Sequence, residues 1–119
     1  MGAVRDVCVI GLGLLGGSVL RAAVTSGRKA WGATASAADA DAASAEGFDA
    51  STDTAAALRR ATAEDALVVV AVPLTELEPV LGLVAEHAPE CLLTDVVSVK
   101  APVRDAVRRV TPRARFAGG

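Results

Sequence analysis

A short apolar run that enters a glycine-rich turn constrains this chain more than any other feature. The segment VCVIGLGLLGGS, near the N-terminus, places Gly-x-Gly-x-x-Gly between a predicted strand and a predicted helix. In this pattern Gly11 permits a tight turn, Gly13 removes the Cβ that would block a phosphate, and Gly16 lets the helix pack on the strand. The free N–H groups at the start of the helix, around Leu14 and Leu15, would then face the anion. The segment therefore predicts a pyrophosphate-binding turn of the dinucleotide-binding type.

Strand-like and helix-like segments alternate along the rest of the chain. The predicted strands are Val4–Ile10, Lys29–Thr34, Phe48–Ser51, Ala66–Val72, Cys91–Val96 and Arg115–Ala117. The predicted helices are Leu14–Thr25, Ala38–Ala45, a short one capped by Asp53, Leu74–His87 and Ala101–Val110. Gly27 is expected to form a left-handed cap after the first helix, and Ser36 or Asp39 is expected to cap the start of the second. The fourth strand is apolar on both faces, which is typical of a central parallel strand. We therefore expect an α/β fold with a doubly wound, mostly parallel sheet, a Rossmann-type dinucleotide-binding domain over residues 1–119.

The expected ligand site of such a fold lies at the carboxyl ends of its strands, near the switch in strand order. That rule selects four segments of this chain, which are Gly11–Gly16, Thr34–Ser36, Val72–Thr75 and Val96–Ser98. Besides the glycine turn, the residues expected to contact a cofactor are Thr34, Ser36, Val72 and Pro73.

The end of the second strand leaves the choice between NAD and NADP open. An Asp or Glu about 20 residues after the turn usually binds the ribose 2′-hydroxyl and favours NAD. This strand ends in TAS, with neither a carboxylate nor an arginine. Thr34 and Ser36 could hydrogen-bond a ribose hydroxyl or a 2′-phosphate. Asp39 and Asp41 lie further on and are expected in the first turn of the next helix, where its dipole favours them.

Composition argues against several other classes of protein. The net charge of −2 offers no basic field for nucleic acid. Cys8 and Cys91 do not form a Cys-x-x-Cys pair and only one histidine is present, so we expect buried reduced thiols and no metal site. The longest apolar run is about half a membrane span, and the N-terminus lacks a signal-peptide pattern. We therefore expect a cytoplasmic protein that does not bind membranes.

A second informative segment is LTDVVSVK, which begins at Leu93. It predicts a strand that ends in a polar cluster beside the expected nicotinamide. There the Ser98 hydroxyl could hydrogen-bond a substrate or orient a general base. Alternatively, Ser98 caps the following helix. The residues alone leave both roles open.

Four segments in this order resemble the prephenate dehydrogenase family, which includes arogenate-using members. They are GLGLLGGS from Gly11, VAVP from Val70, TDVVSVK from Thr94 and FAGG from Phe116. The resemblance covers essentially the whole chain and concerns the amino-terminal domain of the family. It implies oxidative decarboxylation of prephenate or arogenate in tyrosine biosynthesis, with hydride passing to NAD or NADP. It also implies that Ser98 lies beside the ring hydroxyl of the substrate and the catalytic histidine.

The family pattern continues from Gly-Gly into His-Pro, whereas this sequence stops at Gly119. The resemblance thus implies a chain truncated just before the catalytic histidine and a helical carboxyl-terminal domain. We expect these residues alone to be inactive, and a homodimer to form only with that domain. His87 is expected at a helix end, partly exposed, and not as a substitute for the missing base.

Two other functions fit the glycine turn. One is another two-domain reductase, of the 3-hydroxyisobutyrate or pyrroline-carboxylate type, which leaves the segment from Thr94 to Lys100 as a coincidence. The other is a dinucleotide-binding module without catalytic activity. The arginines near the end of the chain are expected on a solvated helix face, helped by an Asp105–Arg109 pair.

Overall fold

The computed structural model describes residues 5–96 and 100–116, which form one six-stranded sheet with helices on both faces. The strands are β1 (Val7–Ile10), β2 (Ala30–Ala33), β3 (Ala50–Ser51), β4 (Leu67–Val70), β5 (Leu92–Asp95) and β6 (Arg115–Phe116). The helices are α1 (Leu14–Thr25), α2 (Ala37–Ala45), α3 (Thr54–Glu64), α4 (Leu77–His87) and α5 (Lys100–Val110). The strand order is β3-β2-β1-β4-β5-β6 and every described pairing is parallel. The expected doubly wound α/β fold is confirmed.

Strand β1 lies at the centre of the sheet and is the point at which the strand order reverses. Ile10 at its carboxyl end pairs with Ala33 of β2 on one side and Val70 of β4 on the other. The chain moves outward from β1 in one direction and then returns to build the other half. A crevice opens at such a reversal because the connections on either side run to opposite faces of the sheet.

The two faces of the sheet bury separate clusters of apolar side chains. Along β1, Cys8 and Ile10 point into the larger cluster, which α3, α4 and α5 cover. Val7 and Val9 point into the smaller cluster, with Leu20 of α1. Successive strand residues face opposite sides, so a strand covered on both faces is apolar throughout.

Helix α1 begins and ends at the residues that the sequence predicted. Gly27, just beyond its end, has a φ of +88°. The Arg28 N–H donates to the Ala23 carbonyl and the Gly27 N–H to the Val24 carbonyl, each at 3.0 Å. These two bonds form a Schellman motif, which confirms the left-handed cap predicted at Gly27.

The fourth helix differs from its prediction in where it begins. The predicted Leu74–His87 helix starts as a 3₁₀ turn, Leu74–Glu76, and becomes α-helical only at Leu77. Pro79 explains the difference because it has no N–H to donate to the carbonyl four residues earlier. A proline is tolerated only in the first turn of an α-helix, so the α-helix starts just before it.

The prediction of an Asp105–Arg109 ion pair is wrong. The Arg109 guanidinium instead lies 2.7 Å from the carboxylate of Glu78, on the neighbouring helix α4. Both side chains are more than half exposed, so the pair contributes little to stability.

The two thiols are buried, as expected. Burial raises the pKa of Cys8 to about 12 and that of Cys91 to about 11. Within the described ranges, the acidic, histidine and cysteine side chains form no group of three that could hold a metal ion. No described helix is long and apolar enough to cross a membrane.

Candidate functional site

An open cleft of about 730 Å³ lies at the carboxyl ends of β1, β2 and β4, where the strand order reverses. Its floor and rim come from the segments that follow those strands, and α4 supplies one apolar wall. The described lining residues are Ile10, Gly11, Leu12, Gly13, Leu14, Leu15, Thr34, Ala35, Ser36, Asp39, Thr54, Ala71, Val72, Pro73, Leu74, Thr75, Glu76, Pro79, Val80, Leu83 and Val96.

The cleft brings together all but one of the residues predicted to contact a cofactor. The eight that line it are Gly11, Gly13, Leu14, Leu15, Thr34, Ser36, Val72 and Pro73. Gly16 does not line it, because it is buried beneath the turn. Ser98 lies outside the described residues, so its role stays a prediction.

Gly11 and Gly16 are glycines because the backbone leaves no room for a side chain. Gly11 has a φ of +98°, and a Cβ on it would lie 2.6 Å from the Ala71 carbonyl oxygen. A Cβ on Gly16 would lie 1.7 Å from the carbonyl oxygen of Gly11. Without these side chains, α1 can start directly against β1 and β4. The fold itself therefore requires glycine at both positions.

Gly13 differs from those two glycines. Its φ is −70°, which any residue can adopt, and a Cβ on it would meet no heavy atom within 4 Å. The fold therefore does not require glycine at this position. The missing side chain leaves free space on the cleft side, where a ligand can approach the backbone closely.

The N-terminus of α1 presents unused N–H groups to this space. The first hydrogen bond of the helix runs from the Gly17 N–H to the Gly13 carbonyl at 2.8 Å. The N–H groups of Leu14 and Leu15 precede it and have no acceptor within the helix. No side chain caps the helix, and its first turn carries no acidic residue. The positive end of the helix dipole is thus open to an anion.

Three polar residues follow β2 and are linked by hydrogen bonds along the chain. Thr34 is buried, and its hydroxyl oxygen accepts a bond from the Ser36 N–H at 3.2 Å. The Ser36 hydroxyl oxygen accepts one from the Asp39 N–H, also at 3.2 Å, and so caps α2. Each hydroxyl keeps its own proton for donation to a ligand.

Sequence reasoning missed several residues of the cleft wall. Leu12 is buried against β2, where a Cβ on Gly32 would lie 2.7 Å from its side chain. Asp39 was predicted in the first turn of α2 but not in the cleft. Thr54 and the α4 face that carries Pro79 and Leu83 were also missed. The spacing of the α4 residues could have indicated a second apolar face beside the buried one.

The edge of the cleft near β5 is only partly described. Asp95 at the end of β5 is buried, and the Val96 N–H donates to the Val70 carbonyl at 3.1 Å. Val96 lines the cleft. The last described residue after β5 therefore lies at the edge of the cleft.

A family model and a solved structure of 47% identity point to the same family. The family model described as "Prephenate dehydrogenase, nucleotide-binding domain" matches residues 20–119. A provisionally named prephenate dehydrogenase from Corynebacterium glutamicum is 47% identical, with a TM-score of 0.89 over 96% of this chain and 36% of its own. Among curated proteins the sequence has no match.

Two more distant solved structures share the fold. Prephenate dehydrogenase from Aquifex aeolicus, in complex with hydroxyphenyl propionate and NAD+, is 22% identical, with a TM-score of 0.81 over 98% of this chain and 41% of its own. Synechocystis arogenate dehydrogenase is 23% identical, with a TM-score of 0.76 over 89% of this chain and 37% of its own. This chain thus spans well under half the length of each of these solved relatives.

Proposed function

Since the chain belongs to the prephenate dehydrogenase family, whose nucleotide-binding domain it matches, we propose that residues 1–119 form the dinucleotide-binding domain of such an enzyme. The proposed reaction is NAD(P)-dependent oxidative decarboxylation of prephenate or arogenate, in cytoplasmic tyrosine biosynthesis. It is the reaction of an enzyme as long as the solved relatives, to which this chain contributes the cofactor site. The family match over residues 20–119 carries the proposal.

The cleft fits a nicotinamide dinucleotide. Its volume of about 730 Å³ is in the range of small-molecule sites. The free space at Gly13 and the N–H groups of Leu14 and Leu15 suit a pyrophosphate. Thr34 and Ser36 would bind the adenosine ribose. Val72 and Pro73 would contact the dinucleotide from the β4 side.

The chemistry needs both the cofactor and a polar group beside the substrate. When bound, the nicotinamide ring supplies the hydride acceptor. We propose Ser98 as the catalytic residue of this chain, with its hydroxyl hydrogen-bonded to the ring hydroxyl of the substrate. The resemblance of the segment from Thr94 to Lys100 supports this role, as does the exit of the chain from β5 at Val96, which lines the cleft.

Titration of the purified chain with NADH and NADPH tests the cofactor site. We expect at least one to bind with a Kd below about 1 mM. Gly13→Val should weaken that binding by about tenfold or more, because the side chain fills the space assigned to the pyrophosphate. Gly82→Val is the matched control. Gly82 is exposed on α4, does not line the cleft, and has equally open space around its Cβ position.

Two results would contradict the proposal. One is binding of neither nucleotide below about 1 mM. The other is a Gly13→Val variant that binds as tightly as the unmodified chain while its circular dichroism spectrum shows an intact fold. Loss of binding in the Gly82→Val control would indicate that the nucleotide does not bind at the glycine turn.

A further inference from the structure

The carboxylate of Asp39 has no partner among the described residues, although its position in α2 normally provides one. Asp39 is the third residue after the cap Ser36, the place at which an acidic side chain can bond back to the N–H of the cap. Here the Ser36 N–H donates to the Thr34 hydroxyl oxygen instead. The reciprocal bond of a capping box is therefore absent, and the Asp39 carboxylate is left half-exposed in the wall of the cleft.

The surrounding charge is negative. Asp39 and Glu76 are the only charged side chains among the described residues that line the cleft. Neither carboxylate takes part in an ion pair within residues 5–96 and 100–116. A ligand with extra negative charge near Thr34 and Ser36 would meet a carboxylate with no arginine or lysine of the described wall to offset it.

We propose that Asp39 makes the cleft selective for NAD over NADP. This inference rests on the proposed function, since it assumes that the adenosine ribose lies at Thr34 and Ser36. With NAD, the carboxylate can accept a hydrogen bond from a ribose hydroxyl, the role usually taken by an acidic residue at the end of the strand. In this chain the carboxylate comes from the first turn of α2 instead. With NADP, the 2′-phosphate brings a charge of about −1.5 to −2 beside it, which is repulsive.

The N-terminus of α2 favours NADP, because the start of a helix attracts phosphate. In this structure two features weaken that attraction. The Ser36 hydroxyl oxygen already accepts the Asp39 N–H, and the Asp39 charge lies in the first turn, where it offsets the positive end of the dipole. The repulsion by the carboxylate therefore outweighs the remaining attraction of the helix.

The test compares NADH and NADPH binding to the unmodified chain, to Asp39→Asn and to Asp41→Asn. Asp39→Asn keeps the size of the side chain and the backbone bond to Ser36 but removes the charge. Asp41→Asn removes the same charge from the same helix at an exposed residue that does not line the cleft. We expect the unmodified chain to bind NADH about tenfold or more tightly than NADPH.

In Asp39→Asn that preference should fall to about threefold or less, mainly because NADPH binds better. Asp41→Asn should keep the preference of the unmodified chain. A chain that prefers NADPH, or an Asp39→Asn variant with an unchanged ratio, overturns the inference while the proposed function stands. Failure of both nucleotides to bind removes the proposed function and the inference together. Circular dichroism of each variant shows whether α2 has been disturbed.

Discussion

The two ends of the parallel sheet are built in opposite ways. At the amino ends of the strands, charged side chains pair with one another. Lys29 and Arg60 both bind Glu64, and Arg5 binds Asp65 at 3.2 Å. At the carboxyl ends, the glycine turn brings backbone into contact with backbone, and the described cleft residues form no ion pair. There the Leu14 and Leu15 N–H groups at the start of α1 and the Asp39 carboxylate have no partner within the part of the chain that the structure describes.

This difference separates stability from ligand binding within one small domain. Polar groups that only stabilise the fold form hydrogen bonds or ion pairs with one another, because a buried polar group without a partner costs free energy on folding. Polar groups kept for a ligand must stay unpaired until it arrives. The stability of the fold should therefore depend mainly on charge at the amino ends of the strands and mainly on side-chain volume at their carboxyl ends.

The largest expected effect is at the carboxyl end, from Gly16→Ala. The new Cβ would lie 1.7 Å from the Gly11 carbonyl oxygen, so α1 or the turn has to move. We expect the free energy of unfolding to fall by about 3 kcal/mol, measured by urea denaturation. The matched control is Gly17→Ala, whose Cβ would meet only the Leu12 carbonyl oxygen, at 3.8 Å. That variant should gain about 0.5–1 kcal/mol, and equal effects at the two positions would show that the close approach does not exist.

The next effect is at the amino end, from Arg60→Ala. Its guanidinium lies 4.0 Å from the centre of the Trp31 ring and also pairs with Asp49 and Glu64. We expect a loss of about 1–2 kcal/mol in the free energy of unfolding, because the stacking on a buried indole and two partly exposed ion pairs disappear together. The neighbouring Arg59 is exposed and has no described partner, so Arg59→Ala should be close to neutral. A comparable loss in Arg59→Ala would mean that helix charge, and not the contact with Trp31, matters.

The smallest expected effect is a change in pH dependence from Glu64→Gln. Hydrogen bonds from Lys29 and then Arg60 lower the pKa of the Glu64 carboxyl from 4.5 to about 2. A carboxyl whose pKa is lower in the folded state stabilises the fold above about pH 4.5, and this contribution disappears as the pH falls toward 2. Urea denaturation at pH 5, 4, 3 and 2.5 should show a shallower loss of stability in Glu64→Gln than in the unmodified chain.

Glu76→Gln is the control for that series, because it removes a cleft carboxylate that has no described ion pair. It should reproduce the pH dependence of the unmodified chain. If Glu76→Gln flattens the curve as much as Glu64→Gln does, the contrast between the two ends of the sheet is wrong.

Local signals in the sequence were sufficient for the elements and for most of the cleft. The apolar run at β4, the cap at Gly27 and the cap at Ser36 each depend on residues that are close in the chain. The position of the cleft followed from strand alternation, because parallel sheets place their binding sites at a known edge.

Several misses depend on contacts that are distant in the chain or on competition for one hydrogen-bond donor, whereas the late start of α4 has a local cause in Pro79. Arg109 found Glu78 on another helix because the packing of α4 against α5 brings them together. Leu12, which follows β1, packs over Gly32 of the neighbouring strand β2. The exposure of the Asp39 carboxylate to the cleft followed from Thr34 accepting the N–H of Ser36. Neither residue type nor spacing reveals which of two acceptors takes a single donor.

The central place of β1 has a consequence during synthesis of the chain. Val7 pairs with Ala30 and also with Leu67, so one side of β1 has no neighbour until β4 has left the ribosome. A nascent chain that ends before that point exposes the edge of an apolar strand, which invites pairing with other chains. Strand β1 gains its second neighbour only after β4 has been translated. We therefore expect this domain to fold late during its synthesis.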